Sequence, residues 1–582
     1  MTRPMNRMGK RAFVKRLVTA CSVAAASPLL PTQRAADAAQ PKAGASATSR
    51  QERRVLVSDA RTVLEISSGK IRGCERSGIF VYKGIPYGES TGGENRFMPP
   101  QPVKPWPGVR DALLYGRACI QPSSDSAHYN FDARNAPGSQ MSFLMHGGES
   151  AQNPGEDCLR VNVWTPSTPS ISDTRRRPVM VFMHGGGFEG GSGNDLGSYD
   201  GENLARSDVV VVTHNHRLNI FGYLNLSELG GGKYPANVGL LDLVALLQWV
   251  HDNIAEFGGD PGNVTVFGQS GGGGKIICLM AMPAAKGLFH RAIVQSGPYL
   301  RVQTPEDSAA NTAEVLRQLG LTANDVDRLQ QMPVDRLAGV GAEAMKKLVA
   351  PKPVFRRIYG IQGWQPFADG TVLPRQPFDP VAPMESARVP LLTGSVFNEI
   401  TSALEDPIGN AMSEAQLQHG VREAYGEKGP AIIAAYRHDY PHATPFGIYA
   451  AISAEPFRRA TQEQAARKAA LGAASSYVYL YAWRTPMLDD RPGTFHASDL
   501  AFTLDNAERC DHYSGLRPEA MAMAKKISGA WVAFARTGNP NHAGLPLWPA
   551  YMRQQDATLI FDNRCEVRHG LEREGLALIA AS

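Results

Sequence analysis

A twelve-residue segment, VTVFGQSGGGGK from Val264 to Lys275, constrains this chain more than any other. Strand-forming residues lead directly into Ser270, which stands in a G-x-S-x-G pattern between Gly268 and Gly272. Glycine has no Cβ, so the chain can reverse sharply from a strand into a helix while the serine holds a strained conformation at the tip. This layout is that of a nucleophile elbow. A serine hydroxyl is a weak nucleophile, so the pattern also requires a base and donors for an oxyanion.

A second glycine-rich turn lies upstream, in RPVMVFMHGGGF from Arg177 to Phe188. An apolar run typical of a buried strand ends there in His184 and three glycines, which is the pattern of an HGGG-type oxyanion loop. We expect the N–H groups of Gly186, Gly187 and Gly271 to donate to the oxyanion, because residues without side chains let a substrate oxygen approach closely. The alternative is a plain glycine turn after a strand.

The glycines before Lys275 also have to be compared with a phosphate-binding loop. That motif needs a glycine where this chain has Gln269, and a Ser or Thr where it has Ile276. Both positions differ, so the segment is not predicted to bind phosphate.

Further blocks resemble the type-B carboxylesterases, relatives of the cholinesterases with the α/β-hydrolase fold. The resemblance runs from about Leu64 to Phe561, nearly the whole mature chain. The matching blocks are GKIRG (Gly69 to Gly73), YKGIPYGE (Tyr82 to Glu89), RFMPPQPVKPW (Arg96 to Trp106), EDCLRVNVW (Glu156 to Trp164), HGGGF (His184 to Phe188), HRLNIFGYL (His216 to Leu224), the long block from Asn237 to Gly273, and ARTGNPN (Ala535 to Asn541).

The resemblance implies a triad of Ser, Glu and His in that chain order. The acid it indicates is Glu399, which follows the apolar run VPLLTG as in the family; Glu405 is the nearest rival. The base it indicates is His496, in the segment PGTFHASDL, which resembles the family's G-x-x-H-x-x-(E/D)-L. Asp499, three residues later, is expected to be structural, although it could compete for the histidine. The alternatives for Glu399 and His496 are a solvated loop carboxylate and a structural histidine.

Three departures from the family limit what can be said of the substrate. Gln269 stands where many relatives have glutamate, so one negative charge is missing near the bond that breaks. The segment from Cys119 to Cys158 contains no tryptophan, which removes the usual aromatic face for a quaternary ammonium and disfavours choline esters. Gly271 replaces the family's common alanine but still provides an N–H.

Composition agrees with a large α/β enzyme. With 582 residues, 43% of them hydrophobic and 20% charged, the chain can bury a substantial core. Strand-like runs alternate with helical stretches, which predicts a mostly parallel central sheet flanked by helices. The predicted strands are 178–183, 208–213, 263–268, 291–295, 389–393 and 476–483. Residues 301–390 and 400–470 lack such strands, so we expect insertions there, forming helices around an active-site gorge or packing as scaffold.

The N-terminus has the features of an export signal. Arg7, Lys10 and Arg11 are among the basic residues that precede an apolar stretch, and Ala36-Asp37-Ala38 offers a cleavage site. KRAFVK resembles a twin-arginine motif with lysine first, while general secretion and lipidation at Cys21 stay open as alternatives. We therefore predict an export signal at 1–38, a flexible linker at 39–55, and a single domain at 56–582, with a periplasmic or secreted location.

The cysteines are relevant to the predicted export, because disulfides form in oxidising compartments. Six remain when Cys21 is excluded, and Cys119 and Cys158 resemble the family's first disulfide pair. Export to an oxidising compartment would allow that bond to form. Cys510 and Cys565 are a further pair whose connectivity the sequence leaves undecided.

Charge and motifs limit the classes of partner that this chain is expected to bind. The net charge is +5, part of it in the leader, and there is no basic stripe with interleaved aromatic residues, so nucleic acid is not expected as a partner. No run after the leader is long and apolar enough to span a membrane. The chemistry described here needs neither a metal nor an organic cofactor. A small-molecule ester is the expected partner, and the sequence leaves the oligomeric state undetermined.

These features predict a serine carboxylic-ester hydrolase that forms an acyl-enzyme on Ser270. A catalytically silent binding or adhesion relative is the alternative from another class. Within enzymes, a lipase or a carbamate or amide hydrolase would use the same machinery. The sequence identifies neither the natural ester nor its acyl chain.

Overall fold

The computed structural model describes residues 54–121, 140–146, 153–168, 173, 175–348, 363–399, 401, 404 and 409–582. They belong to one compact unit, Glu52–Ser582. The predicted export signal and nearly all of the predicted linker lie outside the described residues. The first strand begins at Val55, so the last residue of the predicted linker belongs to the folded unit.

The strands of the described residues are numbered in chain order. They are β1 (Val55–Leu56), β2 (Val63–Ile66), β3 (Gly69–Arg72), β4 (Cys74–Arg76), β5 (Ile79–Pro86), β6 (Val109–Asp111), β7 (Arg160–Thr165), β8 (Arg177–Met183), β9 (Val210–His214), β10 (Gly259–Gln269), β11 (Arg291–Gln295), β12 (Leu391–Val396), β13 (Ser476–Tyr481), β14 (Ala557–Phe561) and β15 (Glu566–His569).

The α-helices of the same residues are numbered likewise. They are α1 (Asp59–Thr62), α2 (Gln140–His146), α3 (Glu202–Ala205), α4 (Asn219–Tyr223), α5 (Val238–Asn253), α6 (Gly271–Ala281), α7 (Pro305–Leu319), α8 (Arg328–Gln331), α9 (Val334–Leu348), α10 (Glu414–Tyr425), α11 (Gly429–Asp439), α12 (Pro445–Ser453), α13 (Glu455–Ala470), α14 (Leu500–Thr503), α15 (Asp511–Ser514), α16 (Pro518–Thr537) and α17 (Arg573–Ala580).

A 12-stranded sheet in the order β1-β4-β5-β7-β9-β8-β10-β11-β12-β13-β14-β15 forms the centre of the fold, and β2, β3 and β6 form a separate small sheet. Neighbouring strands pair in parallel from β9 through β8, β10, β11, β12 and β13 to β14. At either end of this run the next strand, β7 or β15, pairs antiparallel. This is the predicted mostly parallel sheet of an α/β-hydrolase fold, with β-to-α connections between its parallel strands.

The parallel strands are covered on both faces. In β8, Val179 and Val181 pack into a core that includes α5 and α6, whereas Met180 and Phe182 pack into a second core that includes α16. Successive side chains of a strand point to opposite faces, so a strand buried on both sides has to be apolar throughout. That requirement explains the uninterrupted run VMVFM.

The carboxyl ends of three central strands lie at one edge of the sheet. Gly268 of β10 is in register with Met183 of β8, and Gln295 of β11 is in register with both Gln269 and Gly394 of β12. Loops that follow parallel strands in register start from the same edge, which is where ligands bind in open α/β sheets. The glycine loop, the Ser270 turn and the Glu399 loop all begin here.

The predicted strands are confirmed, with boundaries moved by a few residues; the largest change is that β10 begins at Gly259. The two predicted insertions contain α7 to α9 and α10 to α13 in their described parts. No helix of the described residues has the length and apolar character to cross a bilayer.

Candidate active site

Ser270 occupies the sharp turn between β10 and α6. Its backbone has φ 57° and ψ −125°, and its N–H donates to the Gln295 carbonyl at 2.7 Å. A Cβ on Gly272 would lie 1.9 Å from the Met183 carbonyl oxygen, and one on Gly268 would lie 2.6 Å from the same atom. The turn therefore packs directly on the end of β8, and this packing holds the serine in its strained conformation.

The glycine loop after β8 lies against the start of α6. Gly186 and Gly187 have φ of +85° and +62°, which favour glycine. A Cβ on Gly271 would lie 2.1 Å from the Gly187 carbonyl oxygen. The N–H of Gly271 is the first of α6, and the first N–H groups of a helix have no partner within the helix. The three predicted oxyanion donors thus belong to two segments in direct contact.

His496 and Glu399 form a close pair at the same edge of the sheet. Nδ1 of His496 lies 2.5 Å from Oε2 of Glu399, and the His496 N–H donates to the Glu399 carbonyl at 2.8 Å. Glu399 is 1% exposed and has φ +47°, and its Oε1 accepts a hydrogen bond from the Val396 N–H at 3.0 Å. Both backbone and side chain therefore fix this carboxylate on the imidazole.

Gln269 connects His496 to the serine turn. Its amide nitrogen lies 3.0 Å from Nε2 of His496. An amide nitrogen donates and does not accept, so Nε2 of His496 is the acceptor and its ring proton is on Nδ1, toward Glu399. The structure thus places Glu399 at Nδ1 of His496 and places Gln269, the residue before Ser270, at its basic nitrogen Nε2.

The rival acid Asp499 has hydrogen-bond partners of its own. It is 1% exposed, and its Oδ2 accepts hydrogen bonds from Gln295 at 2.9 Å and Tyr479 at 3.0 Å. Burial raises the pKa of Asp499 to about 6. It is therefore a buried structural carboxyl behind the site. The other rival, Glu405, lies outside the described residues.

Lys275 is a residue of this site that sequence reasoning missed. Its side chain is fully buried on α6, about one turn after Gly271. Its ammonium group donates to the carbonyls of His184 at 2.9 Å and Gly187 at 2.8 Å. Burial lowers the pKa of Lys275 to about 7. A lysine within an otherwise apolar helix was the signal that could have indicated it.

The predicted Cys119–Cys158 disulfide is not formed in the structure, which has both residues as buried free thiols. The neighbouring Cys119 thiol, followed by burial, raises the pKa of Cys158 well above the ordinary range. The Cys119–Cys158 disulfide therefore stays a prediction. Cys510 and Cys565 are also free thiols.

Among the described residues, no group of three or more His, Cys, Asp or Glu side chains is arranged to hold a metal ion. The chemistry available is that of a strained serine, an imidazole held by a buried glutamate, and a glycine loop beside a helix N-terminus. These parts suit nucleophilic attack on a carbonyl group.

Comparison with known proteins agrees with this geometry. Residues 60–579 match the model of the carboxylesterase family. A para-nitrobenzyl esterase of Bacillus subtilis (strain 168) is 33% identical over 509 residues, which cover 87% of this chain and 96% of that protein. A phenmedipham hydrolase of Pseudarthrobacter oxydans is 32% identical over 526 residues, covering 88% of this chain and 98% of that protein.

A solved structure shows the same similarity. It is that of an esterase from Clostridium hathewayi that can hydrolyse aliphatic aromatic polyesters, and it superposes with a TM-score of 0.75 at 34% identity. The match covers 91% of this chain and 99% of the other.

Proposed function

The chain belongs to the carboxylesterase family and is a carboxylic-ester hydrolase, and from that premise we propose that Ser270, His496 and Glu399 are its nucleophile, base and acid. The observation that carries the assignment is the position of His496. Its Nδ1 is 2.5 Å from Glu399 while its Nε2 faces Gln269, the residue before Ser270.

The reaction follows from these positions. Oγ of Ser270 attacks the ester carbonyl as Nε2 of His496 takes its proton, and Glu399 stabilises the imidazolium through Nδ1. The N–H groups of Gly186, Gly187 and Gly271 stabilise the oxyanion, and each such donor contributes about 3 to 4 kcal/mol to the transition state. His496 then protonates the departing alcohol. Water, activated by the same histidine, hydrolyses the acyl-enzyme.

The strain at Ser270 and Glu399 supports these roles. Both have positive φ, of 57° and 47°, a region that non-glycine residues occupy rarely and at a cost of about 1–3 kcal/mol. Such strain clusters at active sites, where surrounding structure over-determines it. The silent-relative alternative requires loss of the nucleophile, which this chain retains.

The substrate we propose is a small-molecule carboxylic ester. Two similar proteins are named a para-nitrobenzyl esterase and a phenmedipham hydrolase, and the Clostridium hathewayi esterase can hydrolyse aliphatic aromatic polyesters, which supports an ester substrate here. Hydrolysis rates of p-nitrophenyl acetate, butyrate and palmitate would separate an esterase, which favours the shorter chains, from a lipase, which favours palmitate.

The roles are tested on p-nitrophenyl butyrate with purified Ser270→Ala, His496→Ala and Glu399→Gln proteins. We expect kcat to fall about 10⁴-fold or more for the first two and by a comparable factor for the third, because the residues act as a unit. Ser296→Ala is a matched control, since Ser296 is a buried serine with φ +47° after the neighbouring strand β11. Glu405→Gln is the control for the acid.

Retention of activity by Ser270→Ala would overturn the assignment of the nucleophile. A large loss in Glu405→Gln together with normal rates in Glu399→Gln would move the acid to Glu405.

We further propose export to the periplasm or the exterior, with residues 1–38 as the signal. The basic residues and apolar stretch at the N-terminus support this location. Cell fractionation with N-terminal sequencing of the mature protein tests it: a mature chain that begins near residue 39 supports export, and an intact cytoplasmic chain contradicts it.

A further inference from the structure

A single buried ammonium group anchors the glycine loop to the helix that follows Ser270. Lys275 is 0% exposed, and its Nζ donates to the carbonyl oxygens of His184 and Gly187. The ring centroid of Phe188 lies 5.7 Å from the same nitrogen. Lys275 lies about one turn after Gly271 on α6, so one side chain connects the two segments that supply the oxyanion donors.

The hydrogen bonds of the loop show what this connection does. The carbonyl of Gly185 contacts Nδ1 of His184 at 2.9 Å, which orients the peptide plane that carries the N–H of Gly186. A peptide is planar, so fixing a carbonyl also fixes the N–H of the next residue.

The next peptide plane is held in the same way. The carbonyl of Gly186 accepts from the N–H groups of Glu189 at 3.2 Å and Gly190 at 3.0 Å, which orients the N–H of Gly187. The two peptide planes that carry the predicted donors are thus fixed within the loop. The planes on either side of them, with the carbonyls of His184 and Gly187, are fixed by Lys275.

The close approach of the loop to α6 depends on a missing side chain. A Cβ on Gly271 would lie 2.1 Å from the carbonyl oxygen and 2.4 Å from the Cα of Gly187. Real Cβ atoms do not approach backbone atoms so closely, so an alanine at this position would push the loop away from the helix. Gly271 therefore permits the close approach of the loop to α6, and the hydrogen bonds of Lys275 maintain it.

The surroundings leave the charge of Lys275 directed at the loop. His184, His214 and His216 pack together nearby, with ring centroids 4.9 to 6.0 Å apart. Burial, followed by the charge of Lys275, lowers the pKa of all three, so they stay neutral. Within the described residues no carboxylate forms an ion pair with Lys275, and its hydrogen-bond acceptors are loop carbonyls.

We propose that Lys275 is a positioning residue of the oxyanion site: its hydrogen bonds hold the glycine loop against α6, so that the Gly186, Gly187 and Gly271 N–H groups converge. This inference rests on the proposed function of Ser270. It predicts that removing the ammonium group weakens transition-state binding more than substrate binding.

The test compares Lys275→Met with the matched control Lys468→Met. Lys468 is another lysine that is 0% exposed, on α13, and it donates to the Ala387 carbonyl at 2.7 Å, away from the loop. For p-nitrophenyl butyrate, we expect Lys275→Met to lower kcat about 10- to 100-fold with KM changed less than about threefold. An alkyl trifluoromethyl ketone forms an adduct with Ser270 that carries an oxyanion. Its inhibition constant should rise in Lys275→Met by the same factor by which kcat/KM falls. Lys468→Met should leave kcat and this inhibition constant unchanged.

A folded Lys275→Met protein with normal kcat and normal ketone affinity would overturn the inference, as would an equal effect in Lys468→Met. If Lys275→Met does not fold, Lys275→Gln is assayed in its place, since the shorter glutamine side chain cannot reach both loop carbonyls and should give the same pattern of lowered kcat and weakened ketone binding. Normal values for a folded Lys275→Gln protein would then overturn the inference. Activity that survives Ser270→Ala in the same assay would instead show that the proposed function itself had failed.

Discussion

The amide nitrogen of Gln269 lies 3.0 Å from Nε2 of His496. The residue before the nucleophile therefore donates to the same nitrogen that has to accept the serine proton. A protonated nitrogen no longer accepts a hydrogen bond, so Gln269 has to give up this contact as Nε2 takes the serine proton.

Gln269→Glu should move the acid limb of the kcat/KM profile to higher pH by about one unit or more. A carboxylate at this position would favour the imidazolium, so a higher pH is needed to obtain the neutral base. The measurement is the pH dependence of p-nitrophenyl butyrate hydrolysis from about pH 4.5 to about pH 9 for both proteins.

Gln269→Met is the matched control, because it removes the donor without adding charge and should shift the limb less. An acid limb that stays in place in Gln269→Glu would show that the side chain at this position does not act on His496.

Gly272→Ala should damage the serine turn. Its Cβ would lie 1.9 Å from the Met183 carbonyl oxygen, so either β8 or the turn has to move. We expect kcat/KM to fall at least about 100-fold, because misplacement of the nucleophile by about 1 Å has an effect of that size.

Gly339→Ala is the control for this change. Gly339 is exposed on α9 and a Cβ there would contact nothing within 4 Å, so alanine should raise the free energy of unfolding by about 0.5–1 kcal/mol with unchanged kinetics. Equal kinetics for the two variants would contradict the packing described for the turn.

Asp499→Asn should become progressively more stable than the parent as pH rises from about 4 to 7. The buried Asp499 has its pKa raised to about 6 by burial, from an ordinary value of 3.8, with Glu399 adding to the shift and His496 opposing it. The folded protein therefore binds more protons than the unfolded chain between these values, and the parent loses stability as pH rises through this window. The shift corresponds to about 3 kcal/mol.

Urea unfolding of both proteins at about pH 4 and about pH 7 measures this difference. Parallel stabilities at the two pH values would show that Asp499 does not change its ionisation in the way described. The comparison does not depend on activity, so an effect of the Asp499→Asn substitution on catalysis would not obscure it.

Protein isolated from an oxidising compartment should carry a Cys119–Cys158 disulfide, whereas protein made under reducing conditions should have both as thiols. The two buried thiols already contact each other, and a bond that closes a loop of this length stabilises a fold by about 2–4 kcal/mol. Thiol alkylation followed by peptide mass spectrometry identifies the bonded pair. The oxidised protein should have a higher Tm than the reduced protein, and Cys119→Ser should abolish this difference. Full alkylation of both cysteines in the exported protein would contradict the prediction.

Local patterns were sufficient for the serine turn and the glycine loop. The turn at Ser270 and the loop at Gly186 and Gly187 depend on backbone conformations that glycine permits, and those are properties of neighbouring residues along the chain. The strands of the parallel sheet could be predicted for the same reason, because burial on both faces requires an unbroken apolar run. Glu399 and His496 were indicated by resemblance to the family, since no local rule selects one acid or one histidine.

The remaining features were decided by tertiary structure. Gln269 and His496 are 227 residues apart in the chain, and the ammonium group of Lys275 contacts a carbonyl 88 residues away. Whether such side chains meet depends on the order and register of β8, β10 and β12, which is set by how the whole sheet packs. The sequence alone therefore determined which residues could do the chemistry, while the folded sheet decided which of them orient the base and hold the oxyanion loop, because those contacts join segments that only packing brings together.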